Sequence, residues 1–154
     1  MNHPKVKEVG IVDVQFGLNV SVVKPANLYG CFIGDDAFVG PFVEIQKGVR
    51  IGARTKVQSH SFICELVTVG DDCFIGHGVM FTNDVFAHGG PARGDESLWK
   101  PTSIGDRVSI GSNATLLPVS VCNDVVIGAG AVVTNDIVQP GVYFGVPARL
   151  KTIS

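Results

Sequence analysis

IGDDAF VGPFVE IQKGVR IGARTK VQSHSF ICELVT VGDDCF IGHGVM FTND, from Ile33 to Asp84, repeats with a period of six. The lead positions are Ile33, Val39, Ile45, Ile51, Val57, Ile63, Val69, Ile75 and Phe81, all apolar. Four residues after each lead stands a small or β-branched side chain: Ala37, Val43, Val49, Thr55, Ser61, Val67, Cys73 and Val79. Gly often follows the lead, as at Gly34, Gly40, Gly52, Gly70 and Gly76. A helix needs apolar recurrence every third or fourth residue, and an ordinary strand needs unbroken alternation. A fixed six-residue repeat predicts instead a parallel β-helix, three hexads to a coil, with lead and small positions pointing inward. Gly is expected to supply permissive backbone at the corners, and β-branched residues suit the short walls.

Outward from this core the rhythm weakens toward the N-terminus. It starts at Phe16 and Val22 and slips by one residue at Leu28, beside the polar Asn27 and Tyr29; VGIVDVQ before it reads as a strand closing that end. On the other side AHGGPARGDESLWKPTS, from Ala87 to Ser103, has no six-residue fit and reads as a functional external loop, in which Trp99 needs a partner surface. The rhythm resumes at Ile104, Ile110, a shortened unit at Leu116, Val121, Ile127 and Val133. About six coils result, a prism roughly 30 Å long at ~4.8 Å per layer. Residues from about 139 to 154 are expected to cap the second end of a single domain.

Composition narrows the function. The 154 residues, 45% hydrophobic with 19 glycines, suit one thin, regular core. A formal charge of −2 gives no general attraction to nucleic acid or acidic membranes. No stretch approaches the ~18 consecutive apolar residues of a membrane span, and MNHPKVKEVG lacks the apolar run of a secretory signal. The cytoplasm is the expected location. Cys31, Cys64, Cys73 and Cys122 show no paired spacing and are expected as free thiols, with Cys73 in the core. His60 and His77 stand close to one coil apart, so a metal pair is conceivable, but imidazole sites normally need three or more protein ligands. His88 lies in the loop and His3 in the leader. No metal is expected.

IGSNATLLPV (110–119), IGAGAVVTND (127–136) and GVPAR (145–149), taken with the rhythm, resemble the hexapeptide-repeat acyltransferases. That resemblance implies a left-handed parallel β-helix working as a homotrimer, with active sites between subunits. FVEIQKG (42–48), SHSFIC (59–64) and GHGVMFTND (76–84) further resemble the N-acetyltransferases that acetylate a 3-amino sugar on a UDP or dTDP carrier, for surface-glycan precursors. Acetyl-CoA is then implied as donor in a groove between neighbouring prisms. Gly111, Ser112, Ala129 and Thr134 fall beside it, and Arg149 falls near its phosphates. Where relatives often carry Lys after the Thr, this chain has Asn135, and Lys151 is the substitute. Asn27, Tyr29, Glu44, Gln46, Gln58 and His60 are the implied contacts to the sugar nucleotide, with Lys47 as a point charge for a diphosphate.

O-acetylating relatives carry a catalytic His just after the hexad equivalent to Phe81, whereas this chain reads Thr82, Asn83, Asp84. A hydroxyl needs a positioned base. An amine with a pKa near ~8 is already partly neutral at pH 7. Direct attack of the amine on the thioester is therefore expected, with Asn83 and His77 holding the amine and Asp84 positioning the loop or accepting a proton. The alternatives are His77 as obligatory base, an O-acetyltransferase of a saccharide or small alcohol using His77 or His88, and a non-catalytic trimeric scaffold.

Overall fold

The computed structural model describes residues 3–151 and shows an all-β solenoid with three parallel walls. The first wall stacks Ile11–Val12, Asn27–Tyr29, Glu44–Ile45, Phe62–Ile63, Met80–Phe81, Thr115–Leu116 and Val132–Val133. The second stacks Gln15–Phe16, Phe32–Ile33, Arg50–Ile51, Val67–Val69, Thr102–Ile104 and Ser120–Val121. The third stacks Ser21–Val22, Phe38–Val39, Lys56–Val57, Phe74–Ile75, Ser109–Ile110, Val125–Ile127 and Gly141–Phe144, and ends in Arg149–Leu150. Among the described residues no helix is long and apolar enough to cross a membrane.

Lead residues pair with lead residues: Ile33 with Ile51, Ile51 with Val69, and Val69 with Ile104 across the insertion. They fill the axis together with the small positions, from Ala37 at 1% exposure to Val79 at 0%. Each fully buried Ile contributes on the order of 2 kcal/mol by leaving water. The period is held because a one-residue slip would turn this whole set outward.

Four expectations need correction. The coils number about seven rather than six, because Ile11–Val12 already pairs with Leu28 and Tyr29 as a first layer. The chain leaves the solenoid after Phe81, and Thr102 and Ser103 are strand residues paired with Val67 and Thr68. Thr102 occupies the small position two residues before the lead Ile104 and is only 2% exposed, as a wall residue facing the axis should be. The tail does not merely cover an end. Gly141–Phe144 extends the third wall in parallel and Arg149–Leu150 returns antiparallel to it, while 152–154 lie outside the described residues.

The glycines after the leads do not supply unusual backbone angles either. Left-handed residues stand two positions later, at Asp36, Arg54 and Asp72 among others. Gly34 and Gly76 are small because the next coil lies against them: an added Cβ would sit 2.7 Å from Ala53 N and from Ile110 O.

Length variation is confined to one edge of the prism. The turn from first to second wall is short from Leu28 to Ile33 and from Leu116 to Val121, regular from Ile45 to Ile51, and carries the insertion between Phe81 and Ile104. The slip at Leu28 is therefore a tighter corner.

Candidate functional site

Polar residues gather on the outside of the first wall, beside that variable edge. Asn27 and Glu44 are register partners, and Asn27 Nδ2 donates to Glu44 Oε2 at 3.2 Å. Gln46 Nε2 donates to Glu44 Oε1 at 2.9 Å, and Gln46 Oε1 accepts from the N–H of Glu65 at 3.3 Å. Asn83 Nδ2 donates to the Glu65 carbonyl at 3.2 Å. Half-buried Tyr29 joins the same group: burial, then the charges of Glu44 and Glu65, push its phenol upward, partly offset by a hydrogen bond with Gln46.

The insertion borders this surface at its Gln46, Glu65 and Asn83 end, where a pocket of about 400 Å³ forms. Gln46, Glu65, Thr82, Asn83 and Asp84 supply its polar lining, and Phe62, Phe86 and Trp99 supply apolar walls. Asp84 ties the insertion down. One of its oxygens accepts from Phe86 N at 2.9 Å, the other from Ala92 N at 2.7 Å, and its backbone bridges Trp99. With each oxygen accepting from a backbone N–H of the insertion, Asp84 clasps the loop. Trp99 thus finds its partner surface here.

A second group lines the edge between third and first walls. His77 Nδ1 lies 2.8 Å from Ser59 Oγ, and the Asn113 N–H donates to the His77 carbonyl at 2.8 Å. His60 instead stacks on Phe42, with ring centroids 4.9 Å apart. The two imidazoles have separate partners and do not converge. Among the described residues no group of three or more His, Cys, Asp or Glu is arranged to hold a metal ion.

The residues expected from the sequence therefore divide. Asn27, Tyr29, Glu44, Gln46, Asn83 and Asp84 come together on the first wall. Gln58, His60, His77, Gly111, Ser112 and Ala129 lie in turns between third-wall and first-wall strands. Within one chain His77 and Asn83 are at opposite ends of Met80–Phe81, and no histidine lines the pocket. Thr134 follows Val132–Val133, on the Asn83 side rather than beside Gly111. Arg149 lies exposed in the final antiparallel strand, and exposed Lys151 ties back through its N–H to the Val142 carbonyl at 2.7 Å.

Gly111 N–H is donated to Ile127 O at 2.7 Å, and a Cβ there would collide with the backbone nitrogen of Ala129. Its smallness is thus required by packing, whatever lies outside. Glu65 was missing from the sequence expectation. It stands two residues after the lead Ile63, as Asn83 stands after the lead Phe81, so the repeat itself could have found it.

Similar proteins agree with this architecture. The model described as the bacterial transferase hexapeptide (six repeats) matches residues 30–65, and that of the hexapeptide repeat of succinyl-transferase matches 66–80 and 101–135. The bifunctional protein GlmU of Dichelobacter nodosus is 39% identical over 106 residues, covering 68% of this chain and 20% of that protein. That of Thermotoga petrophila is 32% identical over 145 residues, covering 82% and 30%. This chain thus spans a fifth to a third of the length of these relatives. Among solved structures, a variant of AntD, an N-acyltransferase from Bacillus cereus in complex with dTDP and coenzyme A, superposes with a TM-score of 0.76 at 20% identity, over 90% of this chain and 82% of that one. A galactoside acetyltransferase in complex with coenzyme A gives 0.68 at 31% identity, over 78% and 63%. Repeat, walls and family models converge, and the chain belongs to the hexapeptide-repeat acyltransferase superfamily.

Proposed function

We propose that this chain is an N-acetyltransferase that moves the acetyl group of acetyl-CoA to the 3-amino group of a UDP- or dTDP-linked amino-deoxy sugar. The observation that carries the reading is the pocket beside the insertion. Within one chain it offers Asn83, Glu65 and Gln46 as hydrogen-bonding groups, and the stretch after Phe81 that lines it reads Thr82, Asn83, Asp84 with no histidine, a lining suited to an amine that needs orienting more than deprotonating. The coenzyme A in similar proteins supports a thioester donor.

His77 and Gly111–Ala129 belong to the opposite edge of the first wall, so a complete site calls for a second copy of the chain. A trimer would set the His77 edge of one prism against the Asn83 edge of its neighbour. Exposed Phe74, Val126 and Val142, all on third-wall strands, are candidates for the apolar contact between copies. The pantetheine arm would follow Gly111, Ser112 and Ala129, with Arg149 and Lys151 toward its phosphates and Thr134 farther along.

In the proposed reaction the neutral amine nitrogen attacks the thioester carbonyl, the C–S bond breaks, and the departing thiolate takes the surplus proton. Because the Gly111 N–H is already used, the neighbouring Ser112 N–H is the better oxyanion donor, a contact worth about 3 kcal/mol in other enzymes. A thiol-release assay across amino and hydroxy sugars on UDP and dTDP tests donor, acceptor atom and carrier together. Turnover of amino sugars alone is expected. Turnover of hydroxy sugars alone, or none with any acetyl-CoA mixture, would end the proposal.

A further inference from the structure

A smaller cavity of about 270 Å³ lies on the same wall, toward the N-terminal coils. Pro25, Ala26, Phe42 and Val43 make it largely apolar, and Asn27 and Glu44 give it one polar rim. Phe42 is the odd residue. It is 57% exposed, and its φ of 60° places a bulky side chain in the left-handed region, where the corresponding corners carry His60, Gly78, Asn113 and Gly130. Gly or Asn suits such a corner, and Phe is strained there and gains little burial in return. Its conformation is nonetheless fixed, by the Phe42 N–H donating to Pro25 O at 2.6 Å and by the stack on His60. A strained and immobilised aromatic ring, exposed in the single chain beside an apolar cavity on the edge that the proposed trimer turns toward its neighbour, is placed to stack on a ligand.

We infer that this cavity is the subsite for the pyrimidine base of the carrier nucleotide, with Phe42 as its aromatic platform and Asn27 as the group that reads its edge. Asn27 spends one amide hydrogen on Glu44. That leaves its Oδ1 and second N–H as an adjacent acceptor and donor, the complement of the N3–H and a carbonyl of uracil or thymine. The Glu44–Gln46 hydrogen bond then links this cavity to the larger pocket, which Gln46 also lines. The cavity spans the coils of Ala26 and Val43 and the pocket those of Gln46, Glu65 and Asn83, so their centres are offset along the axis by one to two coils, roughly 5–10 Å at ~4.8 Å per layer, and lie toward opposite edges of the wall, a spread suited to a diphosphate between base and hexose. The inference rests on the nucleotide-linked acceptor proposed above and adds the direction in which that acceptor lies.

Calorimetry with UMP, dTMP and AMP, on the full chain and on Phe42→Gly, Phe42→Trp and Asn27→Ala, tests it. Glycine relieves the backbone, so Phe42→Gly should keep or raise Tm while weakening UMP or dTMP binding about tenfold or more, the loss expected for one base–aromatic stack. Acetyl-CoA affinity and oligomeric mass should not move. Phe42→Trp should retain pyrimidine binding, and Asn27→Ala should erode the preference for UMP and dTMP over AMP. Unchanged UMP and dTMP affinity in Phe42→Gly and Asn27→Ala overturns the subsite and leaves the nucleotide-linked reading standing. A lower Tm or altered mass in Phe42→Gly also overturns it, by making Phe42 a packing residue. Failure of wild type to bind UMP, dTMP, UDP or dTDP, with carrier-free amino sugar still acetylated, overturns both.

Discussion

Ser59 Oγ stands one coil below His77 and 2.8 Å from its Nδ1, so Nε2 is the ring nitrogen left for any substrate. The tautomer follows from which partner donates. If the Ser59 hydroxyl donates, Nε2 carries the hydrogen and His77 can only donate outward; if the ring donates, Nε2 is a base.

The proposed direct attack makes His77 an orienting group. His77→Asn should then lower kcat by less than about tenfold, whereas a general base contributes 10²–10⁴-fold. Steady-state turnover with the amino-sugar acceptor measures this. A loss beyond ~100-fold would return His77 to the role of base.

Asp84 should matter to the insertion and little to the solenoid. Asp84→Asn removes an acceptor from one of two backbone N–H groups, a local cost of about 1–3 kcal/mol. Faster hydrogen exchange at Phe86 and Ala92 and a raised acceptor KM are expected, with Tm nearly unchanged. A collapse of Tm would show that the insertion supports the coils instead.

Two buried threonines should respond oppositely to Val. Thr55 Oγ1 donates to Gly70 O at 2.9 Å and accepts from Cys73 N at 3.0 Å, whereas Thr102 Oγ1 is buried with no partner. Thr102→Val should stabilise by about 1 kcal/mol, and Thr55→Val should destabilise by about 1–3 kcal/mol by orphaning a buried N–H. Denaturant midpoints decide; equal shifts of the same sign would sink the distinction.

Burial pushes the thiols of Cys31 and Cys64 up to about 11, and burial raises that of Cys73 as well. At pH 8 in native protein, alkylation should therefore stop near one equivalent, at half-buried Cys122, and reach four after unfolding. Between the unfolded thiol value near 9 and about 11 the unfolded chain holds fewer protons than the native one, so stability should fall as pH rises through that window. Rapid native alkylation of Cys64 at pH 8 would contradict its burial.

The sequence by itself determined the solenoid. Inward positions repeat on one fixed period, and burial punishes any break in it, so Ile33 through Phe81 announce three walls and a core without reference to distant contacts. Asn27 and Tyr29 were conspicuous as polar residues on a regular wall, and the family resemblance added Glu44, Gln46, Asn83 and Asp84. Only the tertiary structure decided which of these meet. Glu65 enters the pocket because stacking sets it beside Gln46 and Asn83. Asp84 becomes a clasp because the insertion folds back to offer it Phe86 and Ala92. His77 is parted from Asn83 by the width of a wall. A repeat fixes which side chains face outward, but the neighbours of an outward side chain depend on coil register and on an aperiodic insertion, and neither is written in the period.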